Sequence, residues 1–199
     1  MKLLDIVLTE MPKLIPPLKG HELNDASMNG QWYKDFDRDK YKKLIVVLND
    51  HAIVSKDGTT FFCLDSDTKR VTYYLKYEVA KHSQLGQYVW QSMVWTDLNC
   101  DYIRGFPQKI FFDFLLPKYG CIVTDSEQTW YGQRFWQLRI SEALKKGLFV
   151  YYFDFKLKQL VQVNDWAEFE QIEKDHDVWG PHTQNEFKRM IISNRKLIR

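Results

Sequence analysis

The order of patterns between Gln87 and Phe155 constrains the fold of this chain more than any other feature, because strand and helix signals alternate there. Short apolar and β-branched runs predict strands, and apolar positions spaced by three and four residues predict helices. Five elements are predicted in this order: a strand over Tyr88–Trp95, a helix over Ile110–Leu115, a buried strand over Cys121–Thr124, a helix over Thr129–Lys146 and a strand over Leu148–Phe155. Pro117 and Gly120 close the first helix, and Gly147 stops the second. The segment is therefore a βαβαβ unit.

An antiparallel meander precedes this unit. The runs Thr59–Leu64 and Val71–Val79 are rich in β-branched and aromatic residues and flank Asp65-Ser66-Asp67-Thr68-Lys69-Arg70, whose residue types favour a turn. These two runs are predicted to form a hairpin. The run Tyr41–Leu48 fits either a helix end or a strand, because a short apolar run does not decide the period.

The two ends of the chain carry weaker signals. They predict a strand over Lys2–Leu8, a turn at Asn29-Gly30, a short helix over Trp166–Ile172, a surface loop over His176–His182 and a closing strand over Met190–Ile192. With the meander and the βαβαβ unit, they predict an α+β fold with a central mixed sheet and helices on both faces. We expect a single domain over residues 1–199.

Composition excludes several classes of protein. A hydrophobic content of 45% is ample for a globular core. The chain has 28 Lys plus Arg against 26 Asp plus Glu, so it lacks the strong positive potential that is typical of nucleic-acid-binding proteins. Nucleic acid is therefore only weakly supported as a partner. Cys63, Cys100 and Cys121 lack the spacing of a disulfide framework or a zinc site, so we expect no bound metal. The apolar run at the N-terminus contains Asp5 and is too short for a signal peptide or a membrane span. A cytoplasmic protein without membrane contact is predicted.

The turn Arg104-Gly105-Phe106-Pro107-Gln108-Lys109 has the residue types of an anion site. Arg104 and Lys109 supply positive charge, Gly105 permits a tight turn, and Pro107 suits the first helical position. The free amides of the next residues would then face an anion such as a phosphate. Chain reversal alone accounts for the same residues equally well.

An antiparallel meander that leads through an Arg-Gly turn into helix, strand, helix and strand resembles the GNAT superfamily of acyl-CoA N-acyltransferases, over roughly Val71–Phe155. The resemblance implies a fold of that kind with acetyl-CoA, or another acyl-CoA, as cofactor. It implies that the strand around Met93–Thr96, including Val94 and Trp95, binds the pantetheine arm through its backbone. It also implies that Arg104, Gly105, Phe106, Gln108 and Lys109 hold the pyrophosphate.

The chain is also loosely similar to acetyltransferase-like proteins of tailed bacteriophages, and it departs from the usual GNAT pattern in two places. The similarity to the phage proteins lies in Trp95, Asp125, Gly132, Trp136 and the Trp179-Gly180 loop. The first departure is that Phe106 and Pro107 follow Gly105, where the family has a second small residue. The second is that Trp136 falls near the position of a Tyr that protonates the departing thiolate in many members, while Tyr131 lies about one and a half helical turns earlier.

Acylation of an amine needs a base that takes a proton from the ammonium form, and a carboxylate near the thioester suits this role. Glu78 at the end of its strand and Asp97 after the next strand are the candidates, although solvated acids at strand ends are more common. Tyr131 is the candidate acid. Asp125 is interpreted as the N-cap of the long helix, and His176 and His182 as loop residues without a third metal ligand.

The sequence thus predicts an acyl-CoA-dependent N-acyltransferase that transfers an acetyl group to the amine of a small molecule or a macromolecule. The alternative is a non-catalytic GNAT-like binding protein, of bacteriophage origin, that holds a host protein or a nucleic acid. The altered turn and Trp136 favour this alternative.

Overall fold

The computed structural model describes residues 25–35, 44–48, 51–55, 58–97, 105–125, 130–179 and 187–197, with the backbone alone at 44–48, 51–55, 96, 130 and 131. The predicted strand over Lys2–Leu8 and the residues Arg104, Ser126 and His182 lie outside these ranges.

Strands and helices are both well represented. The strands are β1 (Leu44–Leu48), β2 (His51–Ser55), β3 (Thr60–Asp65), β4 (Arg70–His82), β5 (Gly86–Thr96), β6 (Cys121–Val123), β7 (Phe149–Asp154), β8 (Gln159–Val163) and β9 (Lys188–Ser193). The helices are α1 (Ala26–Asp35), α2 (Phe106–Lys109), a π-helix (Ile110–Leu115), α3 (Leu116–Tyr119), α4 (Trp130–Lys145) and α5 (Trp166–His176). The α+β class with a mixed sheet is confirmed.

The chain divides into two compact units, the first with residues 1–77 and 92–106 and the second with residues 78–91 and 107–199. Strands β4 and β5 contribute residues to both units. The organisation of the whole chain as a single domain stays a prediction.

In the first unit the strands follow the order β1-β2-β3-β4-β5. The predicted hairpin is confirmed as β3 and β4, and Asp65 closes its turn by accepting hydrogen bonds from the backbone N–H groups of Asp67 (2.8 Å) and Thr68 (3.2 Å). Side chains on one face of these strands form an aromatic core with α1. Its buried members are Phe62, Leu64, Val71, Tyr74 and Trp95, with Trp32, Tyr33 and Met93 packed against them.

The turn predicted at Asn29-Gly30 is wrong, because both residues lie inside α1. The fully buried Asn29 donates through Nδ2 to the Val71 carbonyl (2.9 Å) and accepts from the Val71 N–H through Oδ1 (2.7 Å). Val71 lies beside the register shift between β3 and β4, so the Asn29 amide supplies the two backbone partners at an irregular point of the ladder. Asp25 begins the helix by accepting from the N–H groups of Ser27 (2.8 Å) and Met28 (3.0 Å).

In the second unit the strands follow the order β4-β5-β6-β9-β7-β8. β5 and β6 are parallel, and β9 pairs antiparallel with β6 on one side and with β7 on the other. The closing strand predicted around Met190–Ile192 is therefore confirmed. One face of this sheet carries a buried cluster that includes Val123, Tyr151, Phe153 and Ile191. The short buried strand β6 is fixed between two longer neighbours in this way.

The helix after the Gly105 turn is longer than predicted and does not end at Pro117. α2, the π-helix and α3 follow one another without a break, and Gly120 ends the last of them with a left-handed conformation (φ +77°). Proline disrupts an α-helical ladder because it lacks an N–H and its ring crowds the carbonyl four residues earlier. The wider turn of the π-helix precedes Pro117, and the Leu116 N–H donates to the Phe111 carbonyl five residues back.

Other boundaries differ in smaller ways. α5 continues past Ile172 to His176, where Asp177 in a left-handed conformation ends it, so His176 is helical and not part of a loop. Strands β2 and β8 lie in segments for which no element was predicted. The open alternative at Tyr41–Leu48 resolves as strand β1 over Leu44–Leu48.

Candidate functional site

The parallel ladder between β5 and β6 is short. Only two residue pairs are in register, Val89 with Ile122 and Trp90 with Val123, whereas β5 itself continues to Thr96. After Val123, the N–H of Thr124 donates to the Met190 carbonyl (3.0 Å), and Thr124 Oγ1 accepts from the Met190 N–H (3.1 Å). The backbone of β6 therefore continues to bond with β9 beyond the point where its register with β5 ends.

Gln91 directly follows the last parallel pair and carries a buried amide. Its side chain is 3% exposed, and Nε2 has no hydrogen-bond acceptor among the residues that the structure describes. A buried amide donor without an acceptor destabilises a fold by about 1–3 kcal/mol. An unpaired donor at the end of a parallel ladder marks this position as a candidate contact for a ligand oxygen.

Asp125 follows β6 and contacts α4, and its predicted role as N-cap stays a prediction because residues 126–129 lie outside the described ranges. α4 begins at Trp130, and Asp125 Oδ1 accepts a hydrogen bond from Trp136 Nε1 at 3.1 Å. Trp136 is 1% exposed and packs edge-on against Phe111 of the π-helix, with ring centroids 5.3 Å apart. The indole therefore ties the end of β6 to two helices, and its one donor is committed to Asp125.

Gly105, directly before α2, has the left-handed backbone conformation that a tight turn requires. Gly105 has φ +88°, a conformation that favours glycine, and no atom of the described residues lies within 4 Å of the position where a Cβ would be. Phe106 is fully buried, and Pro107 is the second residue of α2, one position later than predicted. Phe106 is thus part of the core.

Gln108 and Lys109 belong to the second unit and behave differently from each other. Gln108 Nε2 donates to Glu142 Oε1 of α4 at 2.6 Å, so its side chain holds the helix start against α4. Lys109 is partly exposed at the end of α2. Of these two predicted phosphate residues, Lys109 is thus partly exposed, and the Gln108 side chain is bonded to Glu142.

Glu142 is the centre of a charged cluster on α4. Oε1 also contacts Lys146 Nζ at 2.8 Å, and Oε2 lies 3.5 Å from Arg139 Nη1. Arg139 is buried, and its guanidinium lies over the Phe135 ring, 5.4 Å from the centroid. Burial lowers the pKa of Arg139 from its usual value, while the Glu142 carboxylate acts in the opposite direction.

Val94, Trp95, Thr96 and Asp97 belong to the first unit, at the end of β5. Val94 and Trp95 are buried, and the Asp97 N–H donates to the Thr72 carbonyl at 2.9 Å. The backbone of Thr96 is the last of the strand. Asp97 therefore follows a strand end, as predicted.

Glu78 and Tyr131 lie in the second unit. Glu78 is exposed within β4, which continues to His82, so it does not end its strand. The backbone of Tyr131 is in the first turn of α4. The predicted site residues are thus distributed over both units: Val94, Trp95, Thr96, Asp97, Gly105 and Phe106 in the first, and Glu78, Gln108, Lys109 and Tyr131 in the second.

Other reactive side chains in the second unit have structural contacts. The His176 ring stacks on Tyr152 with centroids 4.5 Å apart, and burial raises the pKa of Tyr152 to about 12. Burial also raises the pKa of the Cys121 thiol to about 12, which keeps it from acting as a thiolate near neutral pH.

The described residues contain no group of three His, Cys, Asp or Glu side chains arranged to bind a metal ion. No helix in the described ranges is both long and apolar enough to cross a membrane.

Sequence reasoning missed Gln91 and Arg139, although each left a signal. Gln91 is a polar residue within a strand pattern, between the apolar neighbours Trp90 and Met93. Arg139 occupies a core position of α4, because it follows Phe135 by four residues and Trp136 by three. Polar side chains on an apolar face need a partner, and this criterion would have identified both residues.

Comparison of the chain with protein-family models, with curated proteins and with solved structures finds no match.

Proposed function

We propose that this protein is an acyl-CoA-dependent N-acyltransferase of the GNAT type, which transfers an acetyl or other acyl group to an amine. The observation that supports this most is the parallel pairing of β5 with β6, which ends after Val89 and Trp90 while β5 runs on to Thr96. The insertion of β9 between β6 and β7, after a meander and two helical connections, is further support. In this proposal the mixed sheet carries helices on both faces.

The cofactor contacts in this proposal follow the strand and the turn after it. Extended backbone near Val94, Trp95 and Thr96 provides N–H and C=O groups of the kind that bind the amides of a pantetheine arm. Arg104, Gly105, Phe106, Gln108 and Lys109 bind the pyrophosphate, through backbone amides and the charges of Arg104 and Lys109. The positive φ of Gly105 supports this role, because it lets the backbone reverse without a side chain in the way.

The chemistry proposed is direct transfer. A carboxylate, Glu78 or Asp97, takes a proton from the ammonium form of the acceptor, and the amine nitrogen then attacks the thioester carbonyl carbon. A backbone N–H around Val94 to Thr96 stabilises the oxyanion. The carbon–sulfur bond breaks as the amide forms, and the coenzyme thiolate leaves and takes a proton from Tyr131 or from water. The nitrogen loses its second proton to the tyrosinate or hydroxide that this leaves. Alignment of the amine against the thioester supplies much of the rate.

The test is an assay of thiol release from acetyl-CoA with a panel of amino acids, polyamines and lysine-containing peptides. Turnover with at least one amine supports the proposal. Glu78→Gln and Asp97→Asn are made separately, and the variant that removes the base should lose about 10²–10⁴-fold in kcat/KM. Arg104→Glu should abolish cofactor binding while the circular dichroism spectrum stays that of the wild type. Failure of every amine, together with no binding of acetyl-CoA, would overturn the proposal.

The second candidate is a non-catalytic binding protein on the same scaffold. Residues of both units favour it. It is favoured by Trp136, whose buried indole donates to Asp125 and has no proton to give a thiolate, and by the burial of Phe106. This candidate predicts no affinity for acetyl-CoA in the wild type. Binding to DNA or RNA that weakens steeply with salt would support its nucleic-acid form.

A further inference from the structure

Arg139 is a buried charge that the fold leaves incompletely paired. The residue is 8% exposed, and its Nε has no acceptor among the described residues. Removing a guanidinium from water is unfavourable unless its donors are paired, and burial lowers the pKa of this side chain accordingly. The fold therefore retains Arg139 at a cost.

Glu142 has contacts other than the one with Arg139. Its Oε1 accepts from Gln108 Nε2 at 2.6 Å and contacts Lys146 Nζ at 2.8 Å, whereas Arg139 Nη1 is 3.5 Å from Oε2. The contact with Arg139 is the longest of the three. Neutralisation of Glu142 thus does not explain why an arginine occupies this core position of α4.

Arg139 belongs to a cluster of side chains with a net positive charge. Glu142 contacts both Arg139 and Gln108, so the guanidinium belongs to the same side-chain cluster of the second unit as Gln108. The Phe135 ring beneath it orients the guanidinium plane. Arg139 and Lys146 against Glu142 leave one net positive charge in the cluster, and Lys109 is next to Gln108 in the chain.

We propose that Arg139 binds a phosphate group of the acyl-CoA, by exchanging its long contact with Glu142 for phosphate oxygens. This inference rests on the proposed function. The planar guanidinium donates two parallel hydrogen bonds to a phosphate, which an ammonium group does not do.

The experiment compares Arg139→Met with the matched control Arg134→Met, which removes the same charge from a partly exposed position of the same helix. Acetyl-CoA and acetyl-dephospho-CoA are titrated into each protein by calorimetry. We expect Arg139→Met to weaken acetyl-CoA binding at least tenfold and Arg134→Met to change it less than threefold. An equal loss for both ligands assigns the contact to the pyrophosphate, and a loss confined to acetyl-CoA assigns it to the 3′-phosphate. Unchanged binding of acetyl-CoA to Arg139→Met would overturn the inference.

Two further arms keep the result decisive. Arg139→Lys keeps the charge but loses the planar fork, so we expect a several-fold loss of acetyl-CoA affinity. This variant provides the test if Arg139→Met does not fold. Unchanged affinity of Arg139→Lys would also overturn the inference. Inorganic pyrophosphate serves as a probe that does not require transferase function. If the wild type binds no acetyl-CoA, the proposed function fails, while stabilisation by pyrophosphate in the wild type but not in Arg139→Met would still support an anion site. Equal stabilisation of both would contradict it.

Discussion

Two arginines of the second unit differ in how completely their guanidinium groups are hydrogen-bonded. They are Arg195 near the C-terminus and Arg139 on α4. Arg195 Nη2 donates to the Leu85 carbonyl at 2.9 Å and to the Gln87 carbonyl at 3.4 Å. Its guanidinium occupies the space beside Gly86 and Gly120, where an added Cβ would lie 2.7 Å from one of its nitrogens. Arg139, in contrast, is buried, its contact with Glu142 is long, and its Nε has no acceptor in the part of the chain that the structure describes.

The two arginines differ in how their donors are used. The Arg195 donors bond to backbone carbonyls of the fold, whereas Arg139 Nε has no acceptor among the described residues. Around Arg195, Ser193 Oγ donates to the Gly120 carbonyl (2.9 Å) and Asn194 Nδ2 donates to the Leu116 carbonyl (3.1 Å). These bonds join the end of β9 to the end of α3, so the backbone groups there are satisfied. Beside Arg139, Glu142 also contacts Gln108 and Lys146 through Oε1, so its charge has a partner other than Arg139, as expected if Arg139 is kept for a ligand.

The largest stability effect is expected from Gly120→Ala. An alanine at φ +77° is strained, and its Cβ would displace Arg195 from hydrogen-bond distance of the Leu85 carbonyl. We expect a loss of about 2–3 kcal/mol in the free energy of unfolding, measured by urea denaturation. Gly147→Ala is the matched control, because φ is +70° and nothing lies within 4 Å of its added Cβ, so it should lose only about 1 kcal/mol. Equal losses would mean that Arg195 moves aside freely.

Arg195→Met should have the next largest effect. It removes the donors to Leu85 and Gln87 while keeping much of the side-chain volume. Because the carbonyls partly regain water, we expect a loss of about 1–2 kcal/mol in the free energy of unfolding. Acetyl-CoA affinity should not change. A stable variant with weakened cofactor binding would reverse the roles that the comparison gives to the two arginines.

Gln91→Leu extends the comparison to an uncharged side chain. Since Gln91 Nε2 is buried without an acceptor in the described part of the chain, leucine should stabilise the protein by about 1 kcal/mol. Gln87→Leu, at an exposed position of the same strand, should remain within about 0.5 kcal/mol of the wild type. Thermal denaturation of the two variants measures this. A destabilised Gln91→Leu would show that the amide has a structural partner after all.

Arg139→Met should change stability least. Removing one partner of a buried ion pair is costly when it leaves the other charge unpaired, but Glu142 is partly exposed and keeps Gln108 and Lys146. We expect a change within about 0.5 kcal/mol, or a gain. Urea denaturation beside Arg195→Met gives the comparison under one set of conditions. A loss as large as that of Arg195→Met would make Arg139 a structural residue.

Local pattern predicted most of the elements between β3 and β7, because alternation and spacing record burial directly. It failed where a tertiary contact overrides local preference. Asn29-Gly30 has the composition of a turn, yet the buried amide of Asn29 bonds to Val71, forty-two residues away. Pro117 is a helix terminator by local rules, yet the π-helix before it lets the helix continue to Tyr119.

The candidate site was predictable in part. The Gly105 turn follows from residue types, whereas the unpaired amide of Gln91 depends on where the β5–β6 register ends, and that is set by pairing across thirty or more residues. The Arg139, Glu142 and Gln108 contacts depend on how α4 meets α2. Helix spacing places Arg139 on the apolar face of α4, but only the structure identifies its partners.

Isothermal titration of acetyl-CoA into the wild-type protein, under reducing conditions and with ATP as a control, tests the proposed function most directly. The account predicts specific binding in the micromolar range and no comparable binding of ATP. No detectable heat with acetyl-CoA, from a folded protein, would contradict it and leave the binding-protein alternative.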